Sequence, residues 1–160
     1  MACFQILSDL HLESPKAYGL FDIPPQAPYL ALLGDIGNAK DHGLFTFLEA
    51  QLHKIRVVLY LLGNHEPHHS SRATAREKIQ DFSDTINQKR AHEDRQMRQF
   101  VFMDQTRYDI TADVTVLGCT LYSRLSKEQE MRVSFGLNDF YHIDDWTVEA
   151  HCNAHEADRT

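Results

Sequence analysis

The chain has 160 residues, 42% of them apolar, and a formal net charge of -7 from 16 basic and 23 acidic side chains. That length sets one domain with a core of ordinary size. The acidic balance excludes a nucleic-acid or anionic-membrane surface held by charge alone, but not a phosphate-bearing substrate, because a bound cation supplies positive charge.

The first apolar run, Cys3 to Leu7 in "CFQILSDLHLE", turns polar at once and predicts a strand whose carboxyl end faces something polar. The N-terminus has no basic start and carries Asp9 early, so it does not read as a signal peptide. The longest apolar runs, "YLALLG" and "VVLYLLG", are too short to cross a bilayer. Cys3, Cys119 and Cys152 are scattered, with no C-x-x-C spacing. They predict reduced thiols packed inside a cytoplasmic protein.

"ESPKAYGLFDIPPQAP" holds four of the five prolines and predicts a loop. A buried strand is expected from about Tyr29 to Leu33. A helix follows with Leu44, Phe47, Leu48 and Leu52 on its inner face and Asp41 as its cap. "RVVLYLLGN" is continuous and apolar, as a parallel strand buried on both faces is. Ala75, Ile79, Phe82 and Ile86 mark the next helix, which the polar run from Lys89 to Arg98 extends as an exposed face. Short strands at "FVFMD", "TRYDI" and "VTVLGCTLY" follow, the last two joined by a turn at "TAD". "NDFYHIDDW" is read as a loop anchored by Phe140 and Trp146, or as one wall of a substrate cleft. A last helix is expected to start near Asp145 or Thr147. The order of elements predicts an α/β fold with mixed β-sheet layers flanked by helices.

Three of these strands end alike. The first ends in Asp9 and His11, as D-x-H; the second in Gly34 and Asp35; the third in Gly63, Asn64, His65 and Glu66. If the strands are parallel neighbours, the three clusters meet at the carboxyl edge of one sheet, where open α/β sheets bind ligands. Each cluster alone is an ordinary turn or cap. Their conjunction points to a site of carboxylates, imidazoles and an amide, a donor set suited to divalent Mn, Fe or Zn. A carboxylate such as Asp35 can bridge two cations, and a pair roughly 3.5–4 Å apart is a recurring device for phosphoester hydrolysis.

D-x-H, G-D and G-N-H-E, with "FQILSDLHLE", "YLALLGDIGN", "GCTLYSRL" and "LNDFYHI" around them, resemble the calcineurin-like metallophosphoesterase superfamily. The resemblance is to its single-domain, fungal-type Ser/Thr phosphatase-like members, and it covers essentially the whole chain, residues 1–160. It implies an αββα sandwich and a dinuclear centre of two divalent metal ions, Mn, Fe or Zn. Asp9 and His11 would sit on the first metal, Asp35 would bridge both, and Asn64 would sit on the second. His65 would be the catalytic proton donor to the leaving alkoxide, or would stabilise the phosphoryl transition state. The implied partner is a small-molecule or other phosphoester substrate, with no nucleic acid and no membrane.

Glu66 is expected to anchor the loop, and His68 and His69 to be loop histidines rather than ligands. Two departures from the family pattern matter. Asn38 stands where the protein-phosphatase branch has the aspartate that steadies its histidine, which argues against phosphoprotein substrates. The family also supplies late histidine ligands in a G-H-x-H motif, and none occurs here. This implies a domain whose C-terminal part is missing, and with it an alternative to the active hydrolase: a catalytically impaired pseudoenzyme. A third reading is a structural α/β domain whose polar strand ends are only caps and turns. His151 and His155, four apart on the last helix, are read as surface histidines rather than a replacement metal pair.

Overall fold

The computed structural model describes residues 2–93 and 98–157. Four strands, β1 (Phe4–Leu7), β2 (Tyr29–Leu33), β3 (Val57–Leu61) and β4 (Gln99–Phe102), lie side by side in that order, all parallel. Tyr29 pairs with Phe4 on one side and Val57 on the other, so the carboxyl ends of β1, β2 and β3 stand nearly level.

Alternation along the strands sorts the core into two faces. Leu30, Leu32, Val58, Tyr60 and Phe100 pack beneath helices α1 (His42–Leu52) and α2 (Arg72–Glu93), against Leu44, Phe47, Leu48, Ile79 and Ile86. On the other face, Ala31, Val57 and Leu59 meet Met103 and the side chains of Tyr108 and Val116. Those two belong to an antiparallel hairpin, β5 (Thr106–Thr111) and β6 (Val114–Gly118). The hairpin covers only part of the sheet: at the β1 side Ile6 is 63% exposed and Leu33 46%. The result is an α/β fold with a parallel sheet, an antiparallel pair and flanking helices. Among the described residues, no helix is long and apolar enough to cross a membrane.

Several local expectations change. Asp41 occupies the N-cap of α1, but its side chain makes no capping hydrogen bond; its carboxylate accepts the Tyr18 hydroxyl at 3.2 Å instead. The last helix is α5 (Val148–Ala157), capped by Thr147, whose Oγ1 accepts the Ala150 amide at 3.1 Å. Asp145 caps a different helix: it accepts the backbone amides of Arg72 and Ala73 at the start of α2, at 2.7 and 3.1 Å. Two helices that the apolar pattern does not signal, α3 (Lys127–Gly136) and α4 (Asp139–His142), bury no residue fully. All three cysteines are free thiols, but none is fully buried as expected: Cys3 is exposed, and Cys119 and Cys152 are partly buried. Of the polar run after Lys89, residues 94–97 lie outside the described residues.

Candidate metal centre at the strand ends

Beyond β1 the chain keeps running beside the segment that leaves β2. The Asp9 amide donates to the Gly34 carbonyl at 3.1 Å, that of His11 to Asp35 at 2.9 Å and that of Leu12 to Ile36 at 3.0 Å. The backbone is left-handed at Asp9 (φ 55°), His11 (φ 47°) and Asp35 (φ 54°). Residues with a Cβ pay about 1–2 kcal/mol each for that shape, and aspartate tolerates it better than most. In return their side chains converge: potential ligand atoms of Asp9, His11 and Asp35 all lie within 4.8 Å of one another.

The third strand end is packed hard against the second. Gly34 has φ 85°, and a Cβ there would stand 2.7 Å from the Gly63 Cα. A Cβ on Gly63 would stand 2.2 Å from Asp35 Oδ1. That oxygen accepts the His65 backbone amide at 2.8 Å. Two glycines facing each other therefore bring Asn64 and His65 to the rim of the Asp35 carboxylate.

Glu66 fastens this corner from below. It is fully buried. Its Oε1 accepts the Ile36 amide at 2.9 Å and the Tyr60 hydroxyl at 3.0 Å, and its Oε2 accepts the amides of Gly63 at 2.8 Å and Asp35 at 3.1 Å. Burial pushes its carboxyl up, against the lowering effect of the Ile36 and Gly63 amides. The expected anchoring role is what this geometry performs.

His65 has a partner that the sequence reading did not name. Its Nδ1 lies 2.8 Å from Glu13 Oε1, and the His11 ring lies edge-on at 4.3 Å between centroids. Burial opposes ionisation of Glu13, but hydrogen bonds from its own backbone and from His65 outweigh it, and the carboxyl sits below its ordinary range. An ionised carboxylate only accepts, so the Nδ1 of His65 carries the proton. The Nε2 is left to face solvent or a ligand. Glu13 also groups with His11 and His65 as a second set of potential ligand atoms within 4.8 Å. The signal was in the sequence as the H-x-E that follows D-x-H. Asn38, by contrast, is turned away from the His65 ring: its Nδ2 donates to the His68 carbonyl at 2.8 Å and its Oδ1 accepts the Lys40 amide at 2.8 Å.

Asn64 is exposed, and its Nδ2 donates to Asp139 Oδ1 at 3.0 Å. His68 is half-buried, donates from Nε2 to the same oxygen at 3.1 Å, and packs on the His65 ring at 4.4 Å. His69 is exposed. Neither joins either group of potential ligand atoms.

His151 corrects the reading of the last helix's histidines as surface residues, whereas His155 is only partly buried. His151 is buried, not a surface residue, and its Nε2 lies 2.8 Å from the Ser123 carbonyl. His155 Nδ1 lies 2.7 Å from the Tyr122 carbonyl. One nitrogen of each ring is held by a backbone oxygen of the segment after β6, and neither histidine joins a group of potential ligand atoms among the described residues. The segment from Asn138 to Trp146 is in part the helix α4 and not a plain loop, and of its two expected anchors Phe140 is only partly buried. Trp146 is buried, and Asp139, Ile143 and Trp146 line a cleft of about 520 Å³ that also takes in Asn64. Arg72 lies over the Trp146 ring at 4.1 Å in the same cleft.

The donor set fits a divalent cation. Asp9 and Asp35 are two carboxylates brought close together, and like charges at that range repel unless a cation intervenes. The Asp9 carboxylate has no hydrogen-bond or ion-pair partner among the described residues, and neither does Asp35 Oδ2. Oxygen and imidazole donors of this kind suit Mn, Fe or Zn.

No family model matches the sequence. A curated relative, uncharacterized protein L509 of Acanthamoeba polyphaga mimivirus, is 28% identical over 153 residues, which is 89% of this chain and 52% of that protein. Among solved structures, the phosphopantetheinyl hydrolase PptH of Mycobacterium tuberculosis superposes with a TM-score of 0.61 at 17% identity, over 97% of this chain and 60% of its own. The chain thus shares the fold of a hydrolase while spanning little more than half the length of either protein.

Proposed function

We propose that the strand-end corner is the metal centre of a metal-dependent phosphoester hydrolase of the calcineurin-like type. The observation that carries this reading is the convergence of Asp9, His11 and Asp35, with the Glu13-held imidazole of His65 beside them. The hydrolase fold of the structural neighbour supports it. Asp9, His11 and Asp35 would hold one cation, and Asp35 with Asn64 a second. Such cations, when bound, polarise a phosphoryl oxygen and lower the pKa of a bound water toward neutrality.

The chain's own residues do the rest. Asp35 keeps Oδ1 on the His65 amide and offers Oδ2 to the centre. Glu13 holds the His65 ring through its Nδ1–H and steadies the doubly protonated ring, whose Nε2–H would pass its proton to the departing alkoxide of a phosphoester and leave the neutral Nδ1–H tautomer behind. Asn38 does not reach His65, which favours small-molecule phosphoesters over phosphoproteins as substrates.

A second reading, a non-catalytic product that holds one cation, is favoured by one observation. Asn64 brings no further carboxylate or imidazole ligand to the second position among the described residues, and His151 and His155 are tied to carbonyls. The deciding experiment is hydrolysis of bis(p-nitrophenyl) phosphate by the purified chain with added Mn²⁺, beside Asp35→Asn. Activity that disappears in the variant supports the hydrolase. No turnover by either protein, under Mn²⁺, Zn²⁺ or Fe²⁺, overturns it in favour of the second reading.

A further inference from the structure

We infer that Asp139 is a positioning residue for the second cation: it fixes which end of the Asn64 carboxamide faces the centre. The inference rests on the reading of Asn64 as a metal ligand. An amide ligand binds a cation through its oxygen only, yet a free asparagine side chain can present either end. Asp139 removes that freedom. Its Oδ1 lies 3.0 Å from the Asn64 Nδ2. A carboxylate has no proton to give, so the atom facing it must be the NH₂ group, and Oδ1 is turned the other way. The same Asp139 oxygen accepts the His68 Nε2 at 3.1 Å. His68 in turn stacks on His65 with ring centroids 4.4 Å apart. One carboxylate thus orients the amide ligand and supports the ring beside the candidate proton donor.

Asp139 is itself held by the fold. Its residue opens the short helix α4, and the chain that follows locks onto the loop after Asn64. The His69 amide donates to the His142 carbonyl at 2.6 Å, and the Asp144 amide donates to the Ser70 carbonyl at 2.8 Å. Ile143 between them is buried. The carboxylate is therefore delivered to Asn64 by a strand-like splice of two segments, not by a flexible side chain reaching across solvent.

The test is calorimetric titration of the metal-free chain with Mn²⁺, with no substrate present. In the wild type two binding steps are expected, and Asp35→Asn should remove or gravely weaken both. Asp139→Ala should weaken only the second step, by about 10- to 100-fold, the usual effect of losing a ligand's hydrogen-bonded partner. Asn64→Ala should do at least as much, and Asp139→Ala added to Asn64→Ala should cause no further loss. Asp139→Asn keeps the volume and one acceptor oxygen for the Asn64 NH₂, but can also present its own NH₂, so it should weaken the same step less than the alanine does; it carries the test if the alanine variant does not fold. An unchanged second step in both Asp139 variants overturns the inference while leaving the hydrolase reading standing. A wild type with a single step that Asp35→Asn abolishes overturns the inference and favours the one-cation, non-catalytic reading. A wild type that binds no Mn²⁺ overturns both.

Discussion

Glu13 Oε1 and His65 Nδ1 stand 2.8 Å apart, and the bond joins the first strand end to the third. A carboxylate behind an imidazole sets its tautomer and steadies the cation that forms when it takes a proton. Glu13→Gln keeps the shape but presents a neutral group. It should lower kcat for bis(p-nitrophenyl) phosphate by about tenfold or more, and His65→Ala by about 10²- to 10⁴-fold. The double variant should be no slower than His65→Ala alone. Multiplying losses would show that Glu13 acts elsewhere.

Gly63 is the position least able to accept a side chain. Its missing Cβ would collide with Asp35 Oδ1 at 2.2 Å and with the Asp35 amide at 2.6 Å. Gly63→Ala must push the Asp35 carboxylate aside. It should cost about 1–3 kcal/mol of stability, as forced overpacking does. Mn²⁺ affinity should fall with it. A folded Gly63→Ala protein that binds Mn²⁺ like the wild type would contradict the geometry.

Glu66 should matter for stability more than for chemistry. Glu66→Ala strands three backbone amides and the Tyr60 hydroxyl, each buried or half-buried. Orphaned buried donors cost about 1–3 kcal/mol each, so the loss should exceed about 3 kcal/mol in urea unfolding. Glu66→Gln retains one acceptor oxygen and should lose less. A loss under about 1 kcal/mol in the alanine variant would mean that water replaces the carboxylate.

His68 should leave a mark on the pH profile of stability. Burial holds its imidazole below the ordinary 6.5, against the opposing pull of Asp139. With the native value below the unfolded one, the unfolded chain takes up the proton first as the pH falls. The stability tied to neutral His68 is full above pH 6.5 and declines below it, until the native ring also protonates. His68→Gln removes this contribution, so the gap in unfolding free energy between wild type and variant should narrow from about pH 7.5 to about pH 5. Parallel curves would rule out the shift.

The strand ends were legible because each strand is an apolar run that stops abruptly. Tyr29–Leu33 falls where the composition put it, and the parallel register brings Asp9, His11 and Asp35 together as the shared pattern of endings required. Other features left no local trace. Helix α3 has no buried face, so no apolar period marks it; its one sequence signal is Gln129, whose side chain accepts the Ser126 amide at 3.0 Å. Spacing placed His151 and His155 on one helix face but could not show that carbonyls of Ser123 and Tyr122 lie against them. Asp139 stands 75 residues from Asn64, a separation at which no spacing rule operates.

The left-handed backbone at Asp9, His11 and Asp35 sets stability against chemistry at three single positions. Glycine there would relieve about 1–2 kcal/mol of steric penalty, less about 0.4–1 kcal/mol for its more mobile unfolded chain. The balance leans toward glycine where the centre needs side chains. A directed-evolution campaign scored on heat resistance alone would therefore drift toward glycine at these sites, and its most durable winners would be proteins stripped of the three side chains proposed to hold a metal.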